Sequence, residues 1–131
     1  MRRLLIALLL FPLLAFAAEE KSAASAAPKS KQFVYVLKLT PRLHDDAAWT
    51  EADKKTVGAH FAHLQAATKE RKVILAGRTM ESGDKTFGLV IFEAASDTEA
   101  AAFMNSDPAV AAGVMTATVH PYAVVLQRSE K

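Results

Sequence analysis

The sequence predicts an α+β domain of order strand–helix–strand–strand–helix–strand. This is the ferredoxin-like split βαβ arrangement, a four-stranded antiparallel sheet with two helices on one face. Residues 33–39 and 87–93 are rich in β-branched and aromatic side chains and apolar on both sides, as strands covered twice are. Residues 47–71 and 96–105 carry helical spacing, and shorter strands at 72–78 and 115–127 follow them.

In the first strand Phe33, Tyr35, Leu37 and Leu39 line one side and Val34 and Val36 the other. It stops at Thr40-Pro41, where proline removes a ladder donor. In the first helix, with Val57 at zero, Phe61 falls near about +40°, Leu64 near about −20°, His60 near about −60° and His63 near about −120°. His60 thus borders the buried stripe and His63 faces outward. The strand at 72–78 closes on Gly77. In the strand at 87–93, Phe87, Leu89 and Ile91 alternate with Val90 and Phe92, which makes it the second central strand. The second helix opens on Ser96-Asp97-Thr98-Glu99, a capping-box spacing. Asp107-Pro108 then starts a short helical turn, aspartate as N-cap and proline at the first position, which ends at Gly113. Pro121 puts the last strand at an edge. Two helices cover one face only, so the second apolar face calls for a lid, and a second copy of the same sheet is predicted, giving a homodimer.

Of 131 residues 51% are apolar and 23% charged, which describes a globular chain. A balance of 16 Lys and Arg against 14 Asp and Glu, with no long basic cluster, argues against nucleic-acid binding. The absence of cysteine excludes disulfides and a thiol nucleophile. Arg2 and Arg3 precede an apolar run over residues 4–18, with Ala15-Phe16-Ala17 as the small-x-small pattern, so residues 1–17 read as a signal peptide cleaved after Ala17. A spanning helix needs about 20 apolar residues, more than this run offers, so the mature protein is expected in the periplasm or secreted, with no stable membrane anchor. Residues 18–31 read as a flexible linker and residues 32–128 as one domain.

Four histidines, His44, His60, His63 and His120, are the candidates for chemistry. His60 and His63 do not converge on one inward site, so no metal is predicted. His44 lies in a loop, LHDD, whose acids suit turn contacts. His60, at the stripe's edge, is open to a packing role or a functional one. Asp107 is open to capping the turn or to partnering an imidazole.

The segments Ala59-His60-Phe61-Ala62-His63-Leu64-Gln65, Ile74-Leu75-Ala76-Gly77 and Ser106-Asp107-Pro108-Ala109-Val110-Ala111-Ala112-Gly113-Val114, with Ser96 and Glu99-Ala100, resemble the YciI (YCII-related) family over residues 33–126. The resemblance implies a dimeric α+β barrel and a catalytic pair at His60 and Asp107. A carboxylate that accepts the proton of one imidazole nitrogen leaves the other basic, which suits proton abstraction near neutral pH. Family members often carry arginine where this chain has Val57, and proline where it has Arg78. Arg78 is therefore a candidate to bind a carboxylate substrate, with Tyr122 beside it, while Tyr35 is read as core packing.

Two functions follow. One is a cofactor-free enzyme doing His/Asp acid–base chemistry, an elimination, isomerisation or hydrolysis, on a small organic acid. The other is a non-catalytic dimeric module holding a small apolar or haem-like ligand.

Overall fold

The computed structural model describes residues 29–128. The predicted signal peptide and the linker up to residue 28 lie outside these residues. The four strands are β1 (Lys31–Leu39), β2 (Val73–Arg78), β3 (Gly88–Ala94) and β4 (Met115–Tyr122), and the helices are α1 (Glu51–Lys69), α2 (Asp97–Ser106) and α3 (Pro108–Ala111). They form one antiparallel sheet in the order β2-β3-β1-β4. The two strands that are apolar on both sides are the central ones, and Pro121 lies in an edge strand.

Boundaries differ from the sequence expectation where local hydrogen bonds decide them. β1 begins at Lys31, inside the predicted linker, because Lys31 and Gln32 find partners in Ala94 and Glu93. β4 ends at Tyr122 rather than near residue 127, and beyond it the Val124 N–H turns to the Gln32 side chain at 2.7 Å. Helix α1 begins at Glu51, four residues later than expected. Ala47 belongs to a 3-10 turn capped by Asp45, and Thr50 and Asp53 close a capping box. The Arg42 guanidinium forks onto Asp53 at 2.7 and 3.1 Å and also reaches the Ala48 carbonyl at 2.9 Å, tying the preceding turns to the helix start.

The core lies between the helices and one sheet face. Phe33, Tyr35 and Leu37 of β1 and Val90, Phe92 and Ala94 of β3 meet Leu64 and Ala67 of α1 and Ala100 and Phe103 of α2. Phe92 and Phe103 pack as a tilted pair with centroids 4.9 Å apart, and Tyr35 meets Phe92 edge-on at 5.6 Å. A smaller cluster of Leu43, Ala109 and Val114, backed by Leu39, Trp49 and Val57, closes the end where β1 leaves the sheet.

Asp53, Leu64 and Ala67 are buried on α1, and with His60 they centre its inward stripe about 50° from Val57 on the histidine side. His60 therefore points inward rather than bordering the stripe. Phe61 is left 66% exposed. His63, expected in solvent, is half-buried instead, its ring stacked on Phe103 at 5.3 Å with Nε2 buried and unpartnered among the described residues. The spacing within α1 carries no information about α2, whose Phe103 covers this flank.

Candidate active site

Asp107 occupies the one residue between α2 and α3. Its backbone is extended there (φ −61°, ψ 124°), which ends one helix and caps the next. The side chain is fully buried, and each oxygen is held by a different donor. Oδ1 accepts the Ala109 N–H at 3.0 Å, and Oδ2 accepts the Tyr35 hydroxyl at 2.9 Å. The remaining lone pairs meet His60 of α1, whose Nδ1 lies 2.8 Å from both oxygens. The two sequence readings of Asp107, helix cap and imidazole partner, are both realised because a carboxylate has acceptor capacity for each.

Burial alone pushes the Asp107 carboxyl up, but the bonds and charge of His60, the Ala109 N–H and the Tyr35 hydroxyl outweigh it and hold the group below its ordinary range. An ionised carboxylate can only accept, so His60 Nδ1 carries a proton. In the neutral ring the lone pair is then on Nε2. The His60 side chain is 13% exposed, and that exposure opens on a cavity of about 560 Å³.

The cavity lies between α1 and the β2–β3 end of the sheet. Its wall is mainly apolar, with Leu37, Trp49, Val57, Phe61 and Met115 among its residues. Arg78, at the end of β2, lines it with His60, and no acidic side chain among the described residues does. The Trp49 indole N–H is taken by the Leu43 carbonyl at 3.1 Å, leaving the ring as wall. Gly88 lies opposite Arg78 in the β2–β3 ladder, and a Cβ there would stand 3.5 Å from Leu37.

Of the four residues singled out from sequence, the fold brings His60, Asp107 and Arg78 to this end of the domain, and Tyr122 is not with them. In β4 Met115, Ala117 and Val119 pack on the helix side, so the two-residue period turns Tyr122 to the other face. There it lines a shallow groove with Leu75, Ile91 and residues 123–128. Sequence reasoning missed the Tyr35 hydroxyl as a partner of Asp107, since a tyrosine in an apolar strand carries no sign of where its hydroxyl ends. Among the described residues no three His, Asp or Glu side chains gather as a metal site.

A family model described as YCII-related domain matches residues 34–121. Among solved structures, the chain is similar to 5-chloro-2-hydroxyhydroquinone dehydrochlorinase from Burkholderia phenoliruptrix AC1100 in complex with 2,5-dihydroxybenzoquinone. The two share 24% identity at a TM-score of 0.54, over 70% of this chain and 93% of that one, a likeness that bears on the fold. No curated protein matches the chain. The family match runs from the first strand to the last and includes His60, Asp107 and the sheet that carries them, and the chain belongs to the YCII-related domain family.

Proposed function

We propose that the protein is an acid–base enzyme that moves a proton on a small organic anion, with His60 Nε2 as the group that takes and returns it. The observation that carries this reading is the bond from His60 Nδ1 to both oxygens of a fully buried aspartate beside an open apolar cavity. Asp107 fixes the tautomer and stabilises the imidazolium that forms when Nε2 accepts a proton. The apolar wall excludes water from the reacting carbon, and proton transfer by an imidazole calls for no cofactor of its own.

Substrate charge follows from the lining. Among the described residues Arg78 pairs with no carboxylate and no acid lines the cavity, so a carboxylate or phenolate meets a guanidinium there. The cation stands on β2 while Val57, one turn before His60 on α1, contributes wall. The dehydrochlorinase of similar fold is named for loss of hydrogen chloride and was solved with a hydroxyquinone, which supports an elimination or isomerisation begun by proton removal.

The test is proton exchange. The domain is incubated in deuterated buffer with small carboxylic acids, lactones, chlorinated hydroxyhydroquinones and 2,5-dihydroxybenzoquinone, and NMR follows deuterium entry while an ion-selective electrode follows chloride. At least one compound should exchange or eliminate with the wild type, and His60→Ala should cut the rate by about 10³ or more while leaving affinity within about 1 kcal/mol. Equal rates with and without the imidazole would remove the proposal. Binding without turnover in either protein would favour the non-catalytic module, which the apolar wall also suits.

We further propose that the domain pairs with a second copy through the sheet face bearing Val34, Val36, Leu89 and Ile91, and that the full chain is exported with cleavage after Ala17. Light scattering and N-terminal sequencing of the mature protein test these two points.

A further inference from the structure

Tyr35 sits in the middle of β1, fully buried among Phe33, Phe92 and Phe103. A phenylalanine would fill that aromatic cluster as well, and two of the neighbours are phenylalanines on the same sheet face. The hydroxyl is the exception in this core, and it is spent on Asp107 Oδ2 at 2.9 Å. The opposite oxygen is held by the Ala109 N–H at 3.0 Å. With one donor on each oxygen the carboxylate plane is fixed, and the His60 Nδ1–H meets it symmetrically at 2.8 Å on either side.

We propose that Tyr35 is a positioning residue of the site, the third member of a Tyr35–Asp107–His60 chain, and that its hydroxyl lowers the basicity of the imidazole by sharing the charge of Asp107. The inference rests on the acid–base reading of His60, although its test needs no substrate. Charge drawn toward the hydroxyl is withdrawn from the bond to Nδ1, so the imidazolium is held less tightly. An imidazolium held less tightly favours the ring with a free Nε2 lone pair, which is the form that abstracts a proton. Burial, the Asp107 charge and the bond itself push the Tyr35 hydroxyl well above its ordinary range, so it keeps its proton and stays a donor.

The other charged and titratable groups around His60 are few. On α1, His63 lies one turn on, against Phe103, and Asp53 two turns back, bound to Arg42. Arg78 of β2 lines the same cavity as His60. The cavity residues of β3 and β4, Leu89, Val90 and Met115 among them, carry no charge. None of these groups bonds to the Tyr35 hydroxyl, so removing that oxygen changes one interaction.

The experiment is an NMR titration of the imidazole resonances in the wild type, Tyr35→Phe and Asp107→Asn, with His60→Gln identifying the His60 signals. Tyr35→Phe should raise the His60 midpoint by roughly 0.5 to 1 unit, a fraction of what one hydrogen bond to a charged group supplies. Asp107→Asn should lower it. The midpoint of His44, which lies beyond the end of β1, should not move. The opposite perturbation guards against a folding defect. The chain has two tyrosines, so fluorotyrosine incorporated in a Tyr122→Phe background labels Tyr35 alone, and this stronger donor should lower the midpoint. An unchanged midpoint in both variants, or shifts of the same sign, would overturn the assignment and leave Tyr35 as packing. Because no turnover is measured, that result is separate from a failure of the proposed reaction.

Discussion

Replacing Asp107 with asparagine keeps shape and removes charge, and the geometry dictates the consequence. The amide oxygen retains the helix cap by accepting the Ala109 N–H, a bond worth about 1 kcal/mol. The amide nitrogen takes the place of Oδ2, and its two hydrogens have only the Tyr35 oxygen and His60 Nδ1 to meet. The hydroxyl can rotate and accept, but Nδ1 can accept only by giving up its proton. The ring therefore shifts to the Nε2–H tautomer, and the cavity faces a donor where it had a lone pair. An inverted tautomer costs proton abstraction about 10³ to 10⁴, or about 4 to 5.5 kcal/mol of barrier. The loss in stability is smaller. The charge-assisted bonds from His60, Tyr35 and the Ala109 N–H become neutral ones, worth together about 1 to 3 kcal/mol, whereas Asp107→Ala also abandons the cap and strands the donors, at about 3 to 5 kcal/mol. Nitrogen-15 shifts of His60 read the tautomer directly, proton exchange on the substrate reads the rate, and urea unfolding reads the stability. If asparagine leaves the proton on Nδ1 and the rate within tenfold of wild type, the reasoning from Asp107 to His60 is wrong.

Three further outcomes follow from the same structure. The Asp107 carboxyl lies below its ordinary value of 3.8, so its contribution to stability is complete above about pH 4 and is lost as pH falls through the lower folded value; the stability gap between wild type and Asp107→Asn, measured by urea unfolding, should close as the buffer is taken from pH 6 toward pH 3. Gly88→Val should place methyl groups beside Leu37 in the cavity and weaken small-molecule binding by tenfold or more, while a β-branched residue in a strand keeps the melting temperature within a few degrees, as calorimetry and tryptophan quenching at Trp49 would report. His63→Leu removes a buried nitrogen that has no partner among the described residues and should leave stability unchanged or raise it by about 1 kcal/mol, the outcome being read from urea midpoints.

The order of strands and helices was legible because burial writes a period into the chain. A strand at the centre of a sheet is apolar on both sides, and residues 33–39 and 87–93 are so at all positions but Lys38, Gly88 and Glu93, which marks them as the centre of the sheet. The helix cap at Ser96 and the turn at Asp107-Pro108 are local chemistry within four residues, and the structure keeps both. Local competition was harder to see. Residues 47–48 carry helix-forming alanines, yet the Asp45 carboxylate and the Thr50–Asp53 box draw them into a 3-10 turn ahead of α1.

What the sequence by itself determined is which residue types are available and how each element distributes them between its sides: the sheet order's central strands, the aspartate cap, and Tyr122 on alternate positions from Met115, Ala117 and Val119. What only the tertiary structure decided is convergence. Tyr35, His60 and Asp107 come from β1, α1 and the α2–α3 junction, up to 72 residues apart, and they meet within about 3 Å because the sheet and helices close around one buried carboxylate. The helical period could place His60 within one helix but not say what stood opposite it, since the depth of a stripe is set by the neighbours that cover it. A hydroxyl's direction, like the proton's place on a ring, is fixed by partners distant in the chain, and no spacing rule along one segment carries that information.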